Sequence, residues 1–110
     1  MSALFAGGRI LLLKAPVNGH WGINRLYERI TSDMMGFKYD DASREELWVV
    51  FFNRRLTRMR IMHIQPDRGY SLIIRVIYSG RFRVILEGAA GKPVNITREQ
   101  LQKLVDTGTY

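Results

Sequence analysis

Six consecutive apolar residues, Leu47-Trp48-Val49-Val50-Phe51-Phe52, constrain this chain more than anything else in it. A strand with one wet face alternates apolar and polar residues. This run does not alternate, and its β-branched and aromatic residues favour extended backbone. It therefore predicts a central strand covered on both faces. Asn53-Arg54-Arg55 follows as a polar turn, and Arg58–Gln65 is a second strand candidate. Pro66-Asp67-Arg68-Gly69 breaks it, because proline presets φ and glycine accepts positive φ. Residues 71–78 form a third candidate, Ser79-Gly80 a short hairpin turn and residues 81–86 a fourth. Successive antiparallel strands of this kind make a meander.

The same stretch holds an unusual charge pattern. Eight arginines and a single acid, Asp67, lie between Asn53 and Arg83. Side chains alternate along a strand. Arg58 and Arg60 thus share a face with Met62 and Ile64, opposite Met59, Ile61 and His63. On the third strand Arg75 lies with Ile73 and Ile77. On the fourth, Arg81 and Arg83 oppose Phe82, Val84 and Leu86. The expected sheet has one apolar face and one on which arginines dominate at one end. Register decides whether Arg58, Arg60, Arg75, Arg81 and Arg83 all meet there.

The rest of the chain supplies two helices. Residues 9–14 centre on Ile10-Leu11-Leu12-Leu13, a short buried or edge strand that Pro16 ends. Asn18-Gly19-His20-Trp21-Gly22 is a bend. Ile23, Leu26, Tyr27, Ile30 and Met34 then fall at helical spacing, which predicts an amphipathic helix over residues 22–35 closed by Gly36. Residues 88–93 form a Gly-rich loop. Thr97 and Gln100 fit a capping box for a second helix, whose stripe is Leu101, Leu104 and Val105 and whose end is Gly108. The 110 residues suffice for one domain with its own core. The fold class is α+β, a mainly antiparallel sheet of about five strands with two helices.

Charge narrows the function. Seventeen basic residues against 10 acidic ones give a net charge of +7. Most of the cations are arginine, whose planar fork suits bidentate contact with phosphate or carboxylate. Polyanions, nucleic acid first among them, are the expected partners. With no cysteine, disulfides, thiolate metal sites and cysteine nucleophiles are excluded. No apolar run reaches membrane-spanning length, and no cleavage signal stands near the N-terminus, so the expected location is cytoplasmic.

The residues offer little for catalysis. His20 and His63 accompany no nucleophile motif. Asp40, Asp41, Glu45 and Glu46 cluster in sequence but lack an EF-hand spacing, and a small metal-dependent enzyme ranks as the weakest reading. The glycines match no phosphate-binding loop. The expectation is no enzyme, no metal and no cofactor. Binding falls to Arg54, Arg55, Arg58, Arg60, Arg75, Arg81 and Arg83, with Trp48, Phe51, Phe52, Tyr70, Tyr78 and Phe82 interleaved as stacking or core residues. The opposing reading makes the arginines a solvated face that guards the sheet edges.

The order of these segments resembles a known family. Leu47-Trp48-Val49-Val50-Phe51-Phe52-Asn53-Arg54-Arg55, Arg58-Met59-Arg60-Ile61-Met62, Gly69-Tyr70 and Ser79-Gly80-Arg81-Phe82 resemble the TnpB-type accessory protein of the insertion-sequence sixty-six group. Gly22-Ile23-Asn24 with Leu26-Tyr27 is similar to its first helix, and Thr97 with Gln100-Leu101 and Leu104 to its C-terminal segment. The chain departs from the usual family residues at Asn18-Gly19-His20-Trp21, at His63-Ile64-Gln65-Pro66-Asp67 and at Arg83-Val84-Ile85-Leu86, as a diverged member would. The resemblance implies an accessory protein needed for transposition, encoded beside a separate transposase that holds the catalytic carboxylates. DNA, the transposase or another mobile-element protein are the implied partners. A module that docks an acidic protein without binding DNA is the alternative. Exposed sheet edges would also allow a homodimer.

Overall fold

The computed structural model describes residues 8–32, 38–40, 44–87 and 92–110. Its elements run β1 (Arg9–Leu12), α1 (Ile23–Thr31), β2 (Leu47–Phe52), β3 (Arg58–Gln65), β4 (Gly69–Val76), β5 (Val94–Asn95) and α2 (Arg98–Thr107). They build a five-stranded sheet in the order β4-β3-β2-β1-β5. Only β1 and β2 pair in parallel, and the chain between them carries α1, as a parallel connection requires. The other pairs are antiparallel, and β2, β3 and β4 form the meander expected from their turns.

All six residues of β2 are buried, because both faces of the sheet are covered. On one face Leu11, Val49, Phe51 and Met62 pack under Leu26 and Ile30 of α1. On the other, Leu12, Val50, Phe52 and Met59 pack under Leu101 and Leu104 of α2 and under Phe82 and Val84. The expected division into an apolar face and an arginine face is therefore corrected. Apart from the buried Arg60, both faces are apolar along β2 and β3, and the other arginines of this stretch are pushed to the ends and margins.

Local rules held at several positions. Asp67 and Gly69 take positive φ in the turn between β3 and β4. Thr97 and Gln100 form the reciprocal capping box, and Gly108 ends α2 in the left-handed conformation. The first helix is shorter than its apolar period suggested, with Ser32 as its cap. Met34 and Gly36 lie outside the described residues, as does most of the loop over residues 88–93.

The fourth strand is a correction. Residues 81–86 do not extend the ladder beyond β4. Ile77 still donates its N–H to the Thr57 carbonyl at 3.0 Å, but the chain then leaves the edge. It crosses the α2 side of the sheet, with Phe82 bonded to Leu56, Arg83 to Gly108 and Glu87 to Lys14 through backbone N–H groups. The two-residue alternation survives this: Phe82 and Val84 are buried while Arg81, Arg83 and Ile85 are exposed. Burying Phe82 against Phe52, at 5.4 Å between ring centroids, outweighs ladder bonds that water could replace. The fifth strand is instead the short β5 beside β1.

Gly80 makes the departure, at φ +78°. A Cβ there would meet nothing within 4 Å, so any penalty is conformational. Gly80→Val should cost about 1–3 kcal/mol, since a β-branched residue tolerates the left-handed region poorly. A melting temperature equal to that of the unaltered protein would refute this turn geometry.

Candidate nucleic-acid interface

Asn53 builds the turn at the basic end of the sheet. Its Oδ1 accepts the backbone N–H groups of Thr57 and Arg58, both at 3.0 Å, and its Nδ2 donates to Thr57 Oγ1 at 2.9 Å. Leu56 adopts φ +59° and packs its side chain toward the α2-side core. The turn therefore has an inward residue, Leu56, and two outward ones, Arg54 and Arg55, with Arg58 exposed at the start of β3. The bond from Phe82 N–H to the Leu56 carbonyl, 2.7 Å, ties the segment that carries Arg81 to the same turn.

The two neighbouring arginines of β3 have different fates. Arg60 is 3% exposed. Its Nη1 donates to the Trp21 carbonyl at 2.8 Å and its Nη2 to the Asn18 carbonyl at 2.7 Å. The guanidinium also lies 5.1 Å from the centre of the Phe51 ring. Burial, helped by the nearby Arg58 charge, pushes its pKa down, yet a guanidinium remains protonated. Arg60 thus clamps the bend at residues 18–21 onto the sheet and is not placed to meet a phosphate.

Register separates the remaining arginines. Directly paired residues share a face, and Arg75 pairs with Met59 while Arg58 pairs with Val76. Arg75 therefore lies on the α2 side together with Arg81 and Arg83, whereas Arg58 lies on the α1 side. Arg54 and Arg55 stand between them at the tip. The seven arginines do not form one face. Six of them, all but Arg60, are exposed around one end and one flank. Among the described residues no carboxylate pairs with these six; Asp67 pairs with Arg44 and Glu46 with His63.

A neighbouring cluster joins the tip that the run of arginines from Asn53 to Arg83 does not include. Trp21 has Arg25 4.9 Å and Arg29 5.1 Å from its ring centre. The bend that carries Trp21 and His20 shares a surface hollow with Asn53 and Arg54, so this cluster adjoins the arginine tip. The spacing of Trp21, Arg25 and Arg29 by four is the signal of it that the sequence carries. Of the aromatics expected to interleave with arginines, Trp48, Phe51, Phe52 and Phe82 are core. Tyr70 stacks on Tyr27 at 3.9 Å, and Tyr78 is fully exposed.

Over residues 8–109 the chain matches the profile of the IS66 Orf2-like proteins, TnpB_IS66. It belongs to that family. Membership gives it a general accessory role in transposition, and Orf2-like accessory proteins are generally non-catalytic. No curated protein and no solved structure matches the chain.

One of the clustered acids, Glu46, is tied into the sheet. Glu46 meets His63 Nε2 at 3.2 Å and Gln65 Nε2 at 3.4 Å, while the His63 ring stacks on Trp48 at 3.5 Å. Asp41 lies outside the described residues, and among the described residues no group of three metal-ligating side chains occurs. None of their helices is long and apolar enough to cross a membrane. The His63 hydrogen bond holds the Glu46 carboxyl below its ordinary pKa, against the opposing effect of burial. A depressed folded-state pKa contributes stability above the unfolded-state value and loses it as pH falls through the folded one. The stability difference between the unaltered protein and Glu46→Gln should thus shrink below about pH 4. Urea midpoints that differ equally at neutral and acid pH would show that ionisation of Glu46 contributes nothing.

Proposed function

We propose that this protein is a non-enzymatic, cytoplasmic accessory factor of transposition that binds DNA through the arginine tip. Arg54, Arg55 and Arg58 would contact phosphates directly. Arg81 would extend that contact, and Arg75 and Arg83 would carry it along the α2-side flank. The observation that supports this reading is the concentration of exposed arginines lacking a carboxylate partner, among the described residues, at one end of a chain with net charge +7. Unpaired cations gathered this way repel one another, and an approaching polyanion relieves that repulsion while releasing its own counterions. No recognition helix accompanies them among the described residues. Contact of this kind positions a protein on the backbone without reading bases.

Fluorescence anisotropy with labelled duplex and single-stranded DNA across a salt series tests the proposal. Binding that weakens steeply and linearly in log salt is expected. A folded protein that fails to bind either DNA at low salt would overturn it and assign the arginines to an acidic partner, the transposase being the first to try.

A further inference from the structure

Among the described residues the β4 edge of the sheet is open, long and apolar. Two hydrogen bonds fix which of its backbone groups face outward. Ile77 N–H reaches the Thr57 carbonyl, and Asn53 N–H reaches the Arg58 carbonyl. Carried along the unbroken registers, these place Gly69, Ser71, Ile73 and Arg75 toward β3. Tyr70, Leu72, Ile74 and Val76 then direct their N–H and C=O groups to the open side. Ile74 and Val76 are 54% and 52% exposed. Edge strands are ordinarily guarded by charge, proline or a bulge. Arg75 is the only charged residue of β4.

We infer that β4 pairs with β4 of a second copy of this chain, antiparallel about a two-fold axis at Ile73, to make one continuous ten-stranded sheet. In that register Ile73 faces Ile73, Leu72 faces Ile74, Ser71 faces Arg75 and Tyr70 faces Val76 of the second copy. The outward-pointing residues become the hydrogen-bonded pairs, forming about eight backbone bonds. Each Arg75 meets a serine rather than the other arginine. The ends also complement each other. Tyr70 lies under the Tyr27 stack with its hydroxyl on Asn24, while the Val76 end of the same face is bare. The antiparallel arrangement sets the covered end of one copy beside the bare end of the other.

Among pairings of two copies, charge selects this orientation. The arginine tip adjoins the Val76 end of β4, because Arg58 pairs with Val76. Antiparallel pairing sends the two tips to opposite ends of the joint sheet, so two chains of +7 can associate without bringing their arginine clusters together. The inference does not depend on DNA binding.

The absence of native cysteine makes the register directly testable. Facing non-hydrogen-bonded residues lie about 4.5 Å apart at Cα, within disulfide reach. Ile73→Cys should oxidise to a covalent dimer. Arg75→Cys should not, since two residues at that position would stand about 14 Å apart. Sedimentation equilibrium should find the unaltered chain dimeric. Ile74→Pro removes no bond to β3, because its N–H points outward, and should weaken the dimer by about tenfold or more. A monomeric chain at its highest soluble concentration overturns the inference and leaves the edge to another protein. So does a dimer indifferent to Ile74→Pro, or equal cross-linking by the two cysteine variants.

Discussion

Replacing Arg54, Arg55 and Arg58 together by alanine should flatten the salt dependence of duplex-DNA binding by about 2.7 in the log–log slope, at about 0.9 for each phosphate no longer neutralised. The three are grouped because one turn presents them. Asn53 holds that turn through its side-chain amide, and among the described residues no carboxylate anchors any of the three guanidiniums to the rest of the fold. Removing them should leave stability within about 0.5 kcal/mol, as for other surface positions without buried partners. Affinity and stability are then separable in one variant. Anisotropy at several salt concentrations measures the first, and urea unfolding the second. A slope unchanged in a folded triple variant would move the interface away from the tip.

Arg60→Ala should do the reverse. It leaves two backbone carbonyls, of Asn18 and Trp21, without their charged donors, and it empties space beside Phe51. The Asn18 carbonyl keeps the Trp21 N–H at 3.3 Å, so the main costs are the Trp21 carbonyl left without a donor, about 1–3 kcal/mol, and the lost packing on Phe51, partly offset because a desolvated cation is also removed. A net loss of about 2–4 kcal/mol is expected, a large share of the stability of a domain this size. The urea midpoint should fall at unchanged slope. Arg60→Lys should recover little of it, because one ammonium lacks the fork that spans two carbonyls. The salt slope of DNA binding by the folded fraction should not change. An Arg60→Ala protein of normal stability but weakened DNA binding would show that the clamp is wrong and the residue faces solvent.

These two variants differ by residues two apart on one strand, and the difference marks where the sequence stops being informative. Arg58 and Arg60 have the same chemistry and point to the same side of β3. What separates them is the bend at residues 18–21, which reaches Arg60 from 39 and 42 positions away and stops short of Arg58. No local pattern encodes that contact. Arg75 illustrates the same limit through register. Its side-chain parity is readable from the chain, but its opposition to Met59 rather than to Arg58 depends on how β4 slides against β3.

Where a feature rests on neighbours in the chain, the residues alone specified it. The unbroken apolar run of β2 demanded two covered faces, because burying all six side chains leaves no wet side. Thr97 with Gln100, Gly108, and the turn before Gly69 follow from hydrogen bonds and φ preferences confined to a few residues. Composition determined that the chain is strongly basic and free of thiol chemistry. The tertiary structure decided the path of residues 81–86, since their alternation fits a ladder strand and a covering segment equally well, and only the apolar side of Phe52 and Met59, which needs a cover, selects the second. It also decided which arginines remain at the surface, because burial of a side chain depends on what distant chain is folded over it.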